Sequence, residues 1–295
     1  VMIPITVIAN GDGPTALLTG ANHGDEYEGP IALQELAVSL TPDQITGRVI
    51  ILPMMNTPAF IAGKRCSPID GANMNRSFPG APDGTVTRKI CHFIATQLVP
   101  RADIVLDFHS GGSTLDFLPF AAAHILEDKA QEARCMAAMQ AFNAPYSARM
   151  LEIDNVGMFD TEVEFQGKTF VTTELGGAGT SSAKSVAIAR KGIRNLLIHA
   201  GIQKGELDIA PSVQIDMPDE RCFTFAQTAG LIEYLVDLGD PVCAGQAIAR
   251  VWPIDRTGVA PSECYAALDG ILTARHVPGL LKMGDFVGLV AVEIS

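Results

Sequence analysis

The chain has 295 residues, 47% of them hydrophobic and 18% charged, which is enough to bury the core of one large domain or two unequal ones. It carries 33 acidic and 21 basic side chains, a net charge of −12, and no cluster of lysine and arginine. This charge balance makes nucleic acid and anionic membranes poor partners. No apolar run reaches the ~18 residues of a membrane-spanning helix, which excludes an integral membrane protein.

Six cysteines are spread along the chain, and none of them belongs to a C-x-x-C pair. A chain of this length does not need disulfide bonds to hold its fold, so we expect reduced thiols. Because reduced thiols are typical of the cytoplasm, the sequence favours a cytoplasmic protein.

Strand and helix patterns alternate through the first 200 residues. Predicted strands cover Ile3–Ala9, Thr15–Gly20, Val49–Met54, Ile104–Phe108 and Thr169–Thr173. Predicted helices cover Pro30–Leu40, Thr85–Leu98, Leu126–Phe142 and Ser185–Ala200. An Asn-Gly-Asp-Gly turn separates the first two strands and is typical of a hairpin. The repeated strand-then-helix order indicates an α/β fold with a mostly parallel sheet covered by helices.

The pattern changes after about residue 201, where short β-like runs separated by glycine and aspartate replace the long helical segments. Two of these runs repeat a Gly-Asp-x-Val motif, at Gly239–Val242 and Gly284–Val287, and an apolar strand pattern follows each motif. The repeat predicts a small β-barrel of two similar halves. We therefore predict a first domain of residues 1–205 and a second domain of residues 206–295.

A histidine and a glutamate, His23 and Glu26, follow directly on the second predicted strand. Their H-x-x-E spacing lets one turn present an imidazole and a carboxylate to the same ion, and open α/β sheets place their sites at such strand ends. His109, which follows the strand Ile104–Phe108, is the best candidate for a third ligand. Asp107 shares a strand face with His109 and is a candidate hydrogen-bond partner for it. Three such ligands with an open fourth position are typical of catalytic zinc.

Two further segments carry groups suited to catalysis and to carboxylate binding. Asn75 and Arg76 lie in a long polar, glycine-rich segment, and an amide beside a guanidinium suits a carboxylate. Arg65 supplies a second cation upstream. Glu174 ends the apolar run Phe170–Thr173, where a carboxylate is unfavourable unless it is paired or serves as an acid/base.

In this order and context, the site residues resemble those of the succinylglutamate desuccinylase/aspartoacylase family, which belongs to the zinc carboxypeptidase group. The matching residues are His23, Glu26, Asn75, Arg76, His109 and Glu174. The resemblance covers roughly residues 15–197. It implies an eight-stranded mixed sheet between layers of helices, and one zinc ion bound by His23, Glu26 and His109.

The same resemblance implies a role for each of the other site residues. Glu174 matches the general acid/base, and Arg65 matches the arginine that polarises the scissile carbonyl. Asn75 and Arg76 match the pair that binds a substrate carboxylate. The implied enzyme is a zinc-dependent hydrolase that cleaves the amide bond of a small N-acyl amino acid. Two other functions stay open: a metallocarboxypeptidase that cuts peptides, and a non-catalytic protein that keeps the zinc-binding scaffold.

The sequence differs from the aspartoacylases at a position that bears on the substrate's side chain. Aspartoacylases have an extra arginine upstream of the catalytic glutamate. Glu164 stands at that position, and no arginine lies between Arg149 and Glu174. This segment either forms a solvated acidic loop or lines the pocket, and if it lines the pocket, Glu164 repels a second carboxylate and attracts an ammonium group. We therefore predict a neutral or cationic side chain on the substrate. The resemblance is greatest to family members that deacetylate N-acetyl-2,4-diaminobutyrate, and it implies a substrate of that kind.

The C-terminal segment, residues 206–295, resembles a biotinyl/lipoyl-type barrel. Attachment of biotin or lipoate needs a lysine in the hairpin between the two halves, but no lysine occurs between Lys204 and Lys282. We therefore expect the segment to serve as a lid or an oligomerisation module, and we expect the protein to form a homo-oligomer.

Overall fold

The computed structural model of the protein describes residues 1–150 and 156–294. The helices in these ranges are α1 (Glu28–Ser39), α2 (Thr57–Ala62), α3 (Val86–Phe93), α4 (Lys129–Phe142), α5 (Phe159–Phe165) and α6 (Ala183–His199). A π-helical turn, Ile94–Leu98, follows directly on α3. Short 3-10 turns lie at Pro42–Gln44, Met74–Arg76, Val99–Arg101 and Glu220–Cys222.

The strands fall into an earlier and a later group. The earlier strands are β1 (Thr6–Asn10), β2 (Thr15–Gly20), β3 (Gly47–Leu52), β4 (Ile104–His109), β5 (Leu115–Phe117), β6 (Phe120–His124), β7 (Tyr146–Met150) and β8 (Thr169–Glu174). The later strands are β9 (Val213–Met217), β10 (Phe223–Phe225), β11 (Gly230–Tyr234), β12 (Pro241–Val242), β13 (Ala247–Trp252), β14 (Ser262–Tyr265), β15 (Gly270–His276), β16 (Leu280–Leu281) and β17 (Phe286–Glu293).

The larger sheet runs in the order β1-β3-β2-β4-β8-β6-β7-β9 and continues through β17, β15 and β12. Strands β3, β2, β4 and β8 are parallel to one another, and so are β6, β7 and β9. The two parallel blocks run in opposite directions because β6 is antiparallel to β8. The predicted α/β class with a large mixed sheet is therefore confirmed, and the antiparallel junction replaces the mostly parallel arrangement expected from the strand and helix order.

The predicted hairpin between the first two strands is not formed. Instead, β3 lies between β1 and β2, antiparallel to the first and parallel to the second. The reason is the apolar character of β2, all of whose residues are buried. Such a strand is most stable in the centre of a sheet covered on both faces, whereas β1 is an edge strand with Val7 56% exposed.

Helix α6 packs against both α1 and α4, and α1 and α4 also pack against the sheet. Close approach of α1 to β4 depends on Gly29, where an added Cβ atom would lie 2.2 Å from the Cβ atom of Phe108. Phe108, Phe142 and Phe170 are among the largest fully buried side chains. This packing sets the turn between β2 and α1 directly beside the end of β4.

The C-terminal segment adds to the larger sheet and also builds a second one. The second sheet is antiparallel and runs in the order β14-β13-β11-β16. Buried side chains from both sheets, including Val242, Ile248 and Leu272, form one apolar cluster. The repeated Gly-Asp motifs form matching turns, since Asp240 accepts a hydrogen bond from the amide of Asp237 and Asp285 accepts one from the amide of Lys282.

Two sequence-based expectations concern the chain as a whole. All six cysteines are free. Within the described ranges, no helix is both long enough and apolar enough to span a membrane.

Candidate active site

The carboxyl ends of β2, β4 and β8 meet at one edge of the sheet because these strands are parallel neighbours. The register sets Gly20 beside Phe108 and His109 beside Glu174. The turn that carries His23 and Glu26 follows β2 at the same edge. Strand order therefore gathers residues that are far apart in the chain.

His23, Glu26 and His109 form a largely buried cluster. Nδ1 of His23 lies 2.7 Å from Oε1 of Glu26, and Nδ1 of His109 lies 3.1 Å from Oε2 of Glu26. The centres of the two imidazole rings are 5.0 Å apart. One ligand atom from each of the three residues lies within 4.8 Å of the others. Two imidazoles and one carboxylate are the donor set of many catalytic zinc sites, so these residues fit a zinc ion.

A carboxylate holds His109 from the side away from Glu26. Oδ2 of Asp107 lies 2.9 Å from Nε2 of His109, which is the contact that the sequence predicted. Asp107 is itself fixed, because Thr19 Oγ1 donates to its Oδ1 at 2.6 Å and Asn22 Nδ2 donates to its Oδ2 at 3.1 Å. A carboxylate in this place sets the ring orientation of His109 and leaves Nδ1 directed at the cluster.

The charges in this cluster are coupled. Burial acts to raise the pKa of Glu26, but the imidazoles of His23 and His109 outweigh it and hold the pKa well below its usual range. Burial lowers the pKa of His23. Burial also acts to lower the pKa of His109, yet the carboxylates of Glu26 and Asp107 raise it well above the usual value. The ionised carboxylate of Glu26 and the neutral imidazole of His23 are the forms that bind metal ions.

Glu174 lies beside this cluster, at the end of β8. Burial and the negative charge of Glu26 raise the pKa of Glu174 to about 8, against the opposing effects of His109 and Arg65. Its Oε2 atom is buried and has no hydrogen-bond partner among the described residues. A carboxyl group whose pKa is raised toward neutrality is suited to taking up and returning a proton.

The other predicted site residues lie around the same edge. Arg65 is 49% exposed, and its guanidinium lies 3.8 Å from Oε1 of Glu26. Asn75 is buried, and its Oδ1 accepts hydrogen bonds from Asn22 Nδ2 at 3.1 Å and from the amide of Phe159 at 2.9 Å. Arg76 is exposed next to Asn75, and its guanidinium donates to the Asn75 carbonyl at 2.7 Å.

Glu164 is not brought to this edge. Since β6 is antiparallel to β8, the carboxyl end of β6 at His124 lies at the opposite edge of the sheet from Glu174. Both carboxylate oxygens of Glu164 lie close to Nδ1 of His124, at 3.0 and 3.1 Å, and both side chains are buried. The condition that this segment lines the substrate pocket is therefore not met at Glu164, because its carboxylate is bonded to a buried histidine.

Three buried polar residues, two in the turn after β2 and one at the start of α1, escaped the sequence analysis. Asn22 joins Asp107 to Asn75. Asp25 accepts hydrogen bonds from the amide and hydroxyl of Ser113, and Glu28 accepts one from the hydroxyl of Ser185. The available signal was their position, because polar residues next to two candidate ligands at a strand end are expected to support the site.

Comparison with known proteins agrees with this geometry. Residues 12–200 match the family described as the succinylglutamate desuccinylase/aspartoacylase catalytic domain. An N-alpha-acetyl-L-2,4-diaminobutyric acid deacetylase from Halomonas elongata is 55% identical over 297 aligned residues, which cover 100% of this chain and 87% of the relative.

Solved structures of similar proteins match the fold over almost the whole chain. The product-bound ectoine utilization protein EutE (DoeB) from Ruegeria pomeroyi is 62% identical with a TM-score of 0.97, covering 99% of this chain and 89% of that chain. A succinylglutamate desuccinylase from a Silicibacter species is 60% identical with a TM-score of 0.97, covering 100% of this chain and 89% of that chain. The chain therefore belongs to the succinylglutamate desuccinylase/aspartoacylase family.

Proposed function

We propose that the protein is a zinc-dependent amidohydrolase that removes the acyl group from a small N-acyl amino acid. The observation that carries the proposal is the buried cluster of His23, Glu26 and His109 beside the carboxyl group of Glu174. These three residues would hold one zinc ion. When bound, zinc supplies Lewis acidity to the amide carbonyl and to the attacking water.

Protein groups supply the remaining chemistry. Glu174, as the general base, takes a proton from the attacking water and returns it to the leaving amine. Because burial and Glu26 raise its pKa toward neutrality, Glu174 is suited to hold this proton between the two transfers. Arg65, whose guanidinium reaches the cluster from the solvent side, stabilises the negative oxygen of the tetrahedral transition state.

Asn75 and Arg76 bind the α-carboxylate of the substrate. The Oδ1 atom of Asn75 is occupied by Asn22 and Phe159, which orients the amide so that Nδ2 is the group left for a ligand. The guanidinium of Arg76 adds a positive charge next to it, and such charge-assisted hydrogen bonds are stronger than neutral ones.

For the substrate we propose N-acetyl-2,4-diaminobutyrate. The curated relative at 55% identity deacetylates the Nα-acetyl form of this amino acid. Glu164 gives no support, since it is bonded to His124. One other feature favours a neutral or cationic side chain: no arginine lies between Arg149 and Glu174.

We extend the proposal to the organisation of the chain. Residues 1–205 form the catalytic domain, and residues 206–295 form a biotinyl/lipoyl-like barrel without an attachment lysine. The two packed sheets and the matching Gly-Asp turns of the C-terminal segment support a module built from two similar halves. In this proposal the module restricts access to the site, and the enzyme works as a homo-oligomer in the cytoplasm.

A panel of substrates tests the proposed function. Zinc-loaded protein is incubated with N-acetyl-2,4-diaminobutyrate, N-acetylaspartate, succinylglutamate and a short peptide, and released amine is measured. We expect a clear preference for N-acetyl-2,4-diaminobutyrate and loss of turnover in chelator-treated protein. Preference for a dicarboxylic substrate would contradict the proposed substrate. Cleavage of the peptide alone would favour the metallocarboxypeptidase, and no turnover at all would favour the non-catalytic protein.

A further inference from the structure

Strand β15 of the C-terminal segment pairs with the short strand β5, which lies at the active-site edge. Antiparallel pairing of β5 with β15 sets Asp116 directly opposite Arg275. On the other side of β5, Asp116 forms an antiparallel bridge with Gly177. Arg275, Asp116 and Gly177 therefore lie in a row across three adjacent backbones, and Gly177 is the third residue after Glu174.

Backbone hydrogen bonds tie β5 to the segment that follows Glu174. The amide of Phe117 donates to the carbonyl of Gly176 at 3.1 Å, and the amide of Ala178 donates to the carbonyl of Leu115 at 2.8 Å. The fit is close, because a Cβ atom added to Gly177 would lie 2.3 Å from the carbonyl oxygen of Leu115. A shift of β5 would therefore be transmitted to this segment.

The segment also bonds to the chain after β4, where the amide of Gly111 donates to the carbonyl of Gly176 at 2.9 Å, but two glycines in a row restrict its own backbone little. Gly176 and Gly177 have φ angles of +108° and +135°, in a region that favours glycine, and glycine is the most flexible residue. No hydrogen bond from the described residues holds Oε2 of Glu174. The backbone of Glu174 pairs with β4 and β6. The position of its carboxyl group therefore depends on these two strands and on the Gly176–Gly177 segment that β5 contacts.

The side chain of Arg275 forms ion pairs with Asp116 of β5 and with Asp237 of the C-terminal segment. Its guanidinium lies 3.1 Å from Oδ2 of Asp116, 3.4 Å from Oδ1 of Asp237 and 5.9 Å from the ring centre of Tyr234. Only 30% of the Arg275 side chain and 22% of the Asp116 side chain are exposed. This pair is thus better shielded from solvent than a typical surface ion pair.

We propose that Arg275 is a positioning residue for Glu174. By holding Asp116, it keeps β5 against Gly176 and Gly177, and it thereby sets the carboxyl group relative to the cluster of two histidines and a glutamate. The proposal rests on the amidohydrolase function proposed above. It gives the C-terminal segment a role in catalysis that needs no contact with the substrate.

Kinetics of Arg275→Gln test this role. Because small misplacements of a catalytic group lower the rate of the chemical step, we expect kcat to fall about tenfold, while KM changes by less than about twofold and metal content is retained. Arg275→Lys keeps the cation and should recover most of kcat. Asp116→Asn, a second variant at the other end of the pair, should lower kcat as Arg275→Gln does.

Arg250→Gln is the matched control, because Arg250 pairs with Glu263 at 3.3 Å in the second sheet, away from β5. It should leave kcat unchanged. Unchanged kcat in Arg275→Gln, an equal loss in Arg250→Gln, or a lysine variant no better than the glutamine variant would overturn the proposal.

Hydrogen exchange gives a readout that needs no substrate. The amides of residues 175–181 should exchange faster in Arg275→Gln than in the wild type, and at the wild-type rate in Arg250→Gln. Equal exchange in all three proteins would overturn the proposal. If the wild type cleaves no N-acyl amino acid, the proposed function fails, and this measurement still decides whether Arg275 holds the segment.

Discussion

The two edges of the central sheet both bury histidine and glutamate side chains, but they differ in how their polar atoms are satisfied. At the Glu174 edge, several buried side-chain atoms have no hydrogen-bond partner among the described residues: Asn22 Oδ1, His23 Nε2, Asp25 Oδ1, Glu28 Oε2, Ser110 Oγ and Glu174 Oε2. At the other edge, Glu164 places both carboxylate oxygens on Nδ1 of His124. Unsatisfied buried groups destabilise a protein, so their concentration at one edge indicates a ligand site, whereas the satisfied pair indicates a structural one.

The largest effect on activity is expected from His109→Ala at the Glu174 edge, where the buried polar atoms lack partners. Removal of this imidazole leaves only His23 and Glu26 as ligands, so zinc binding and deacylase activity should both be lost. Metal analysis of the purified variant, together with its turnover number, checks this. Full metal occupancy with normal turnover would show that the cluster is not the zinc site.

Glu174→Gln separates chemistry from metal binding at the same edge. The amide cannot take a proton from water, so kcat should fall by about 10²–10⁴-fold while metal content stays at the wild-type level. Wild-type kcat in this variant would remove Glu174 from the mechanism.

The pH profile gives a related test without mutation. Glu174 acts as a base only when deprotonated, so kcat/KM should rise with pH, by about tenfold per unit on the acid side, and level off above the pKa of Glu174. Burial and Glu26 raise that pKa from 4.5 to about 8. A bound divalent cation acts in the opposite direction, so the midpoint should lie between these two values. A flat profile over this interval would contradict the assignment.

Arg76→Ala tests whether the Glu174 edge binds the α-carboxylate of the substrate. A charge-assisted hydrogen bond to a carboxylate is typically worth about 10- to 100-fold in binding, so kcat/KM should fall by that factor for substrates with a free α-carboxylate. Substrates with an amidated carboxyl group should be nearly indifferent to the change. Equal losses on both substrates would exclude carboxylate binding by Arg76.

The smallest effect on activity is expected from Glu164→Gln, which makes the same chemical change as Glu174→Gln at the satisfied edge. We expect unchanged kcat/KM and a free energy of unfolding lower by about 1–3 kcal/mol, because the buried contact with His124 is weakened. Denaturant unfolding and steady-state kinetics measure the two quantities. A loss of activity comparable to that of Glu174→Gln would break the distinction between the edges.

The residues at the Glu174 edge could be predicted from the sequence, whereas the contact between Glu164 and His124 at the other edge could not. The reason is the direction of the strands. Apolar runs ending in His109 and Glu174 are strong signals, and parallel strands place their carboxyl ends together. The short alanine-rich strand β6 gave no such signal, and nothing in the sequence showed that it is antiparallel to β8. The sequence therefore left open whether Glu164 lines the pocket.

Contacts between distant segments were the other limit of prediction. Asn22 is one polar residue among several in its turn, and only the fold shows that it connects Asp107 with Asn75. The division of the chain at residue 205 follows a real change in sequence pattern. However, β9 and β17 continue the larger sheet beyond that point, and strand pairing between segments so far apart leaves no local pattern.

The pairing of β5 with β15 has a consequence for the order in which the protein is completed. Arg275 and Asp116 are 159 positions apart in the chain, so the partner of β5 leaves the ribosome long after β2, β4 and β8 have been synthesised. Contacts of this length are slow to form, since a long loop must close before they contribute. A nascent chain ending near residue 205 would hold every proposed ligand and Glu174 but not β15, the strand that pairs with β5. If β15 positions Glu174 through β5 as proposed, the catalytic edge is complete only after the last strands of the protein have been synthesised.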